Sequence, residues 1–266
     1  MTILDKIIIH KHTEVEATQA RVSLKELMYY RHFDTAVPSL KGFLANPEKA
    51  GVIAEFKRQS PSKGIINDRV QVTDVVKGYE AAGASALSVL TDRNFFGGHD
   101  DDLTAARDVT TIPILRKDFI IDPYQIYEAK AIGASDILLI AAVLDVNQAK
   151  DLGALANYLG MEVLMELHDE SELDRVNAFV DVVGINNRNL KTFEVNLDHS
   201  IHLAAQLPKY KLKVSESGIH APEDVFYLRK NGFDGFLIGE NFMKTDDPAQ
   251  AAITFFQQIK QTSVNL

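Results

Sequence analysis

From residue 51 onward, short apolar runs rich in β-branched residues alternate with stretches whose apolar positions recur at helical spacing. The runs are GVIAEFK (51–57), ASALSVL (84–90), IPILRK (112–117), SDILLIAAV (135–143), EVLMEL (162–167), DVVGIN (181–186), KLKVSES (211–217) and DGFLIG (234–239). Each is nearly continuous in hydrophobicity, as a strand covered on both faces must be, and regular alternation with helices implies parallel neighbours. Helix punctuation agrees. Pro123 suits a first helical turn before YQIYEAKAIG, Asp145 can cap VNQAKDLGALANYL, and Pro222 can open EDVFYLRKNG; Gly133, Gly160 and Gly232 stand where helices end. Eight such units predict an α/β fold, a closed (β/α)8 TIM barrel. The competing architecture, an open doubly wound sheet, is expected to carry a G-x-G-x-x-G turn after its first strand, and this chain has none.

The first fifty residues depart from the repeat. They read as a helix at about 3–18, a second at about 23–30, and then the loop FDTAVPSLKGFLANPEKA. We expect one domain over 1–266, with a helical extension at 1–45 and the barrel at 51–266. The extension either plugs the barrel floor or covers the substrate side.

Composition narrows the chemistry. At 46% hydrophobic and 24% charged residues the chain is of ordinary globular composition, and its longest apolar run, Ile137 to Leu144, is too short to cross a bilayer. Charges interrupt the opening MTILDKIIIHKHTEVEA, unlike a signal peptide, so a cytoplasmic location is expected. The absence of cysteine excludes disulfides, thiolate nucleophiles and Cys-based zinc sites. A net charge of −9 argues against nucleic acid and membrane surfaces as partners. An anionic small molecule would have to be met by cations placed locally.

In such a barrel the chemistry stands at the C-terminal ends of the strands, and here those ends are polar: Glu55 and Lys57, Arg116 and Lys117, Glu166, Asn186 with Arg188, Glu216 with Ser217. Period-two alternation puts Ile53, Glu55 and Lys57 on one face, and pairs Lys117, Glu166 and Glu216 with Leu115, Leu164 and Val214. If these faces line the barrel, five ionisable groups converge. Buried ion pairs are poor stabilisers, so such a cluster is better explained by catalysis than by structure. Gly218 and Gly239 follow strands seven and eight, where many barrels bind phosphate through backbone N–H groups. The loop RQSPSKGIIND, with Ser60 and Lys63, is either a plain connection or a mobile cover touching an anion. Phe95 and Phe96 either wall a planar substrate or close the rim. His199 and His202 read as a solvated pair rather than a metal site. His168 is the histidine nearest the site and receives no role.

These segments resemble the indole-3-glycerol phosphate synthase family. IAEFKRQSPSKG is similar to its first-strand signature and LRKDFIIDPYQIYEAKAIGASDILLIAAVL to its third-strand, third-helix and fourth-strand block; LMELHDESEL, VGINNRNLKTFEVNL, VSESGI and GFLIGENFM follow in the family's order. The resemblance implies a phosphorylated small-molecule substrate, 1-(2-carboxyphenylamino)-1-deoxyribulose 5-phosphate, converted without metal or cofactor into indole-3-glycerol phosphate, carbon dioxide and water. It implies Lys117 as general acid and Glu166 as general base on opposite sides of the reacting centre, with Lys57 as a second lysine. Glu55, Asn186, Arg188, Glu216 and Ser217 match positions that hold the reacting centre or the anthranilate carboxylate, and Phe96 matches the aromatic beside the ring. Ser60, Gly218 and Gly239 match phosphate and lid positions. Glu240 falls at the phosphate site where a small hydroxyl residue is also seen, so its carboxylate must point away and Asn241 donate instead. A monomer is expected, with association with other enzymes of tryptophan biosynthesis left open. Two other readings compete: a neighbouring phosphate-binding barrel, either a phosphoribosylanthranilate isomerase, whose expected cysteine base is missing, or a tryptophan synthase α chain; and a binding barrel without turnover, for which an acid–base pair has no use.

Overall fold

The computed structural model describes residues 1–189 and 194–263, so LKTF at 190–193, within one of the motifs above, lies outside them. Eight strands close into a barrel: β1 (Val52–Phe56), β2 (Ala86–Leu90), β3 (Ile114–Lys117), β4 (Asp136–Ile140), β5 (Glu162–Leu167), β6 (Val182–Asn186), β7 (Leu212–Glu216) and β8 (Gly235–Ile238). Every pairing is parallel, and Ile53 of β1 is in register with both Ala86 of β2 and Leu237 of β8, which closes the ring. Each predicted run contains one strand. The largest trimming is at 135–143, where the chain leaves β4 and turns into a 3₁₀ segment at Ala141–Val143.

Twelve α-helices occur among the described residues: α1 (Ile3–Arg21), α2 (Leu24–Leu27), α3 (Leu40–Leu44), α4 (Val72–Ala82), α5 (Arg93–Phe96), α6 (Asp100–Val109), α7 (Pro123–Ile132), α8 (Val146–Tyr158), α9 (Leu197–Gln206), α10 (Pro222–Lys230), α11 (Glu240–Met243) and α12 (Pro248–Ser263). Asp122 and Asp145 cap α7 and α8 through reciprocal boxes, and Gly133 ends α7 with φ 98°, a left-handed turn that glycine enters without strain. After β5 the repeat weakens. HDESELDRVNAFV forms a 3₁₀ segment, Glu170–Arg175, capped by Asp169, in place of a full helix. No helix among the described residues is long and apolar enough to cross a membrane.

Alternation along the strands separates two cores. Val52, Ala54 and Phe56 pack outward against the helices, whereas Ile53, Leu115, Leu138, Leu164, Val214 and Leu237 fill the barrel interior. Interior packing leaves the charged strand ends standing above an apolar floor.

The leading segment serves both ends of the barrel. Leu40 and Leu44 of α3 join the interior cluster from below, while Ser39 Oγ donates to Glu162 Oε1 at 2.5 Å and the Lys41 backbone N–H to Glu162 Oε2 at 2.8 Å. Lys41 Nζ also reaches Asp181 at 3.0 Å. This short helix, unpredicted from the sequence, is the floor plug. Helix α1 lies at the other end, where Ile3, Leu4 and Ile7 line the cavity mouth. Its Lys11 is buried against Asp92 (3.0 Å) and Asp118 (2.8 Å), the residues following β2 and β3. The two positions weighed for the extension are thus both occupied, the barrel floor by α3 and the cavity mouth by α1. The second predicted helix, 23–30, shrinks to α2, four residues long. One floor residue stands out: Asp136, at the start of β4, is wholly buried and neither carboxylate oxygen has a hydrogen-bond partner. Burial, with Glu162 nearby, pushes its carboxyl well above the usual range.

Candidate active site

The C-terminal ends of the strands open into one cavity, lined by Glu55, Lys57, Ser60, Phe96, Lys117, Glu166, Asn186, Arg188, Glu216, Ser217, Gly218, Gly239 and Glu240. These thirteen, all noted in the sequence, meet there; Arg116, also noted at a strand end, pairs instead with Glu128 and Asp118, and Lys63 lies outside the lining. At its centre Lys117 Nζ lies 2.7 Å from Glu166 Oε2 and 3.3 Å from Glu216 Oε2. Acid and base candidates from β3 and β5 thus reach across the barrel mouth into direct contact. Burial opposes the Lys117 charge, but Glu166, Glu216 and Glu55 outweigh it and hold the ammonium above its ordinary range. For Glu166 burial acts in the other direction, and Lys117 and His168 overcome it, keeping the carboxyl well below the carboxylate range. Glu216 is the reverse case. Desolvation dominates its attraction to Lys117, and with Glu166 and Glu55 nearby its carboxyl rises to about 7.

A second pair flanks the first. Lys57 Nζ sits 2.6 Å from Glu55 Oε1, and Ser88 Oγ donates to Glu55 Oε2 at 3.3 Å. Two glycines make the crowding possible: a Cβ on Gly184 would stand 2.0 Å from Glu216 Oε1, and one on Gly239 2.6 Å from Glu55 Oε1. Gly239 therefore has a steric task besides the phosphate position read from the sequence. Asn186 Nδ2 donates to Glu166 Oε1 at 2.9 Å.

Backbone shape defines the far end of the cavity. Ser217 (φ 69°) and Gly218 (φ 70°) are both left-handed, and Ser217 is the sole non-glycine residue in that region among those described. Asn187 holds this strained turn, donating through Nδ2 to Ser217 O at 2.7 Å and Ser215 Oγ at 2.9 Å. Opposite, the loop after β1 forms a small antiparallel hairpin, Gln59–Ser60 with Gly64–Ile65. Arg188 reaches Ser62 Oγ at 3.3 Å, and Glu240 lies 3.6 Å from both Lys63 Nζ and Arg188 Nη2. The Glu240 carboxylate faces these two cations. Asn241 Nδ2 is already committed to His220 O at 2.9 Å. Phe96 leans on Phe119 with ring centroids 5.9 Å apart and presents an aromatic wall to the cavity.

Three contributions were not read from the sequence. Lys11 and Arg116 clamp Asp118, next to Lys117; burial opposes that carboxylate, but the two cations bring it down to about 2. Asn187 fixes the Ser217 turn. His168 Nε2 lies 3.0 Å from Glu166 Oε1; it continues the β5 alternation from Glu162 through Leu164 and Glu166, a signal available in the sequence. His199 and His202 serve elsewhere, at His168 O (3.0 Å) and Glu170 (3.1 Å).

Comparison with known proteins fits this arrangement. A family model described as indole-3-glycerol phosphate synthase matches residues 4–255. A protein of that name from Bacteroides thetaiotaomicron is 48% identical over 258 residues, covering 97% of this chain and 99% of the relative. Another from Aromatoleum aromaticum is 44% identical, covering 96% and 98%. Among solved structures, the tryptophan synthase α subunit from Legionella pneumophila superposes with a TM-score of 0.61 at 14% identity, covering 85% of this chain and 97% of that one. A chain of the Pyrococcus furiosus tryptophan synthase complex gives 0.60, also at 14% identity, covering 80% and 99%. These two likenesses concern the fold alone.

Proposed function

Because the chain belongs to the indole-3-glycerol phosphate synthase family, we propose that it closes the indole ring in tryptophan biosynthesis, acting as a carboxy-lyase on 1-(2-carboxyphenylamino)-1-deoxyribulose 5-phosphate. The observation that carries the reading is the Lys117–Glu166 contact beneath the cavity mouth, with Glu216 beside it. The pair holds each partner in the form its role needs, Lys117 as the protonated acid and Glu166 as the ionised base, while their mutual attraction tempers the reactivity of both. Substrate entering between them separates acid from base.

Lys117 then donates a proton to the ketone oxygen as the carboxyl-bearing ring carbon attacks the ketone carbon. Carbon dioxide leaves with its bonding electrons returning to the ring. A second proton, from Lys117 or Lys57, converts the hydroxyl to water, and Glu166 takes the proton from the adjoining carbon to form the indole double bond. Two protons enter at oxygen and one returns from carbon, so each turnover consumes one proton, which balances the lost carboxylate charge. Glu55 orients Lys57. Glu216, Asn186 and Ser217 hold the reacting centre, Arg188 and Lys57 meet the anthranilate carboxylate, and Phe96 stacks against the ring. The phosphate lies against the backbone at Gly218 and Gly239 with Ser60 and the hairpin above it, Lys63 and Arg188 exchanging Glu240 for the incoming anion.

The chain is read as one unit, 1–266, and as a monomeric, cytoplasmic enzyme. The test is direct. The purified chain, given the carboxyphenylamino-deoxyribulose phosphate, should generate indole fluorescence, which is easily followed because the protein contains no tryptophan. Absence of that signal from folded protein would refute the assignment.

A further inference from the structure

The two oxygens of Glu166 are held differently. Oε2 meets Lys117 at 2.7 Å, whereas Oε1 receives Asn186 Nδ2 at 2.9 Å and lies 3.0 Å from His168 Nε2. His168 stands two residues beyond Glu166, in phase with the interior face of β5, with its side chain 11% exposed. Its other ring nitrogen lies 3.8 Å from Glu172 Oε2 on the Glu170–Arg175 segment, and its backbone N–H donates to that same oxygen at 2.7 Å. From α9, His199 Nε2 sits 3.0 Å from the His168 carbonyl oxygen, so the main chain is fixed as well as the ring. From β7, Glu216 adds negative charge, and from β3, Lys117 approaches through Glu166.

A space-filling neutral imidazole has no need of a carboxylate on either side. This one has both. Neither ring nitrogen has hydrogen-bond geometry to a partner, so the contact with Glu166 is a close electrostatic one, an ion pair when the imidazole carries its second proton. Burial works against the imidazolium, but Glu166, Glu172 and Glu216 outweigh it and raise its proton affinity.

We propose that His168 is a positioning residue for Glu166: together with Asn186 it clamps Oε1, so that Oε2, the oxygen released when substrate draws Lys117 away, is the atom that accepts the proton. This deepens, and rests on, the reading of Glu166 as the base. A carboxylate free to rotate would offer either oxygen in a range of poses, and loss of orientation at a reacting atom can cost about 10²-fold in rate. The 3₁₀ segment that stands after β5 in place of a full helix then has a purpose, since it carries Glu172 to the far side of the imidazole.

The experiment compares His168→Ala, His168→Gln and Glu166→Gln by steady-state kinetics across pH, with circular dichroism to confirm the fold, and follows the His168 imidazole by NMR titration without substrate. His168→Ala should lose about 10²-fold in kcat with KM near the parental value. The acid limb of its kcat profile should move to higher pH, because a cation beside Glu166 is gone. His168→Gln, a neutral donor, should recover part of kcat while the limb stays displaced, which a merely structural role would not produce. In the titration, His168 should deprotonate at lower pH in Glu166→Gln than in the parent. Folded His168→Ala with parental kcat and an unmoved limb, alongside an impaired Glu166→Gln, would overturn the proposal and leave the base assignment standing. If Glu166→Gln keeps parental kcat, the base assignment falls and takes the proposal with it. The titration distinguishes the two failures, since it reads the His168–Glu166 coupling without turnover.

Discussion

Lys117 and Glu166 are each other's closest ionic partner, so removing either leaves a buried charge as well as a missing reagent. General acid or base catalysis contributes about 10²–10⁴-fold. Lys117→Ala and Glu166→Gln are each expected to lose kcat within that range, and the double variant to lose much less than the product, because both groups serve one proton-transfer sequence. Steady-state indole formation measures this, and near-parental kcat in either single variant would free that residue from its role. The identities of these residues were legible because strand alternation puts Glu55, Lys57, Lys117, Glu166 and Glu216 on interior faces. Their contact was not. It depends on how far a lysine of β3 and a glutamate of β5 reach across a closed ring, which no local pattern encodes. The partners of Glu240 were hidden for a related reason: Lys63 and Arg188 come from loops over 50 residues apart in the chain from one another and from it.

Among the elements, the eight strands announced themselves through continuous apolar runs, and α7, α8 and α10 through their caps and prolines. The elements that escaped are short. Helix α3, five residues with Gly42 at its centre, has too few turns for helical period to register, and tertiary packing of Leu40 and Leu44 stabilises it instead. Helix α1 is anchored by a buried lysine, and truncating one partner of a buried charge network typically costs about 3–5 kcal/mol. Lys11→Met should therefore lower the unfolding free energy by about that amount in urea titrations. It should also impair turnover, since Asp118 adjoins Lys117; a variant as stable as the parent would mean that Asp92 and Asp118 find other partners. At the floor, Asp136 works against the fold. Its carboxyl is raised in the folded state, so the native protein favours its protonated form; that stability is present below the ordinary carboxylate range and is lost as pH rises towards the raised value. Asp136→Asn removes the titration. Its advantage over the parent in chemical denaturation should be small at pH 4 and reach on the order of 1–3 kcal/mol at pH 8. An advantage independent of pH would place the effect in packing rather than ionisation.

Taken as a molecule, the chain divides its labour along the barrel axis, with reactive charges at one end and an apolar plug sealed by Glu162 and Asp181 at the other. Eight βα units made closure legible; the double use of the first 45 residues was not, because nothing local tells which partner a short amphipathic segment will meet. That double use sets an order of events. Ser39 and Lys41 bind groups 121 to 140 residues further along the chain. During synthesis the stopper emerges long before the vessel it closes, and the entropy of so wide a loop favours seating it after the strands have assembled. Contacts made after the rate-limiting step hold back unfolding without hastening folding. Leu40→Ala, a wholly buried truncation worth about 2–5 kcal/mol, should accordingly accelerate unfolding in stopped-flow experiments and leave refolding close to the parental rate. A refolding rate that fell by the whole equilibrium cost would instead put residues 39–44 in the nucleus, the plug drawing the strands around itself.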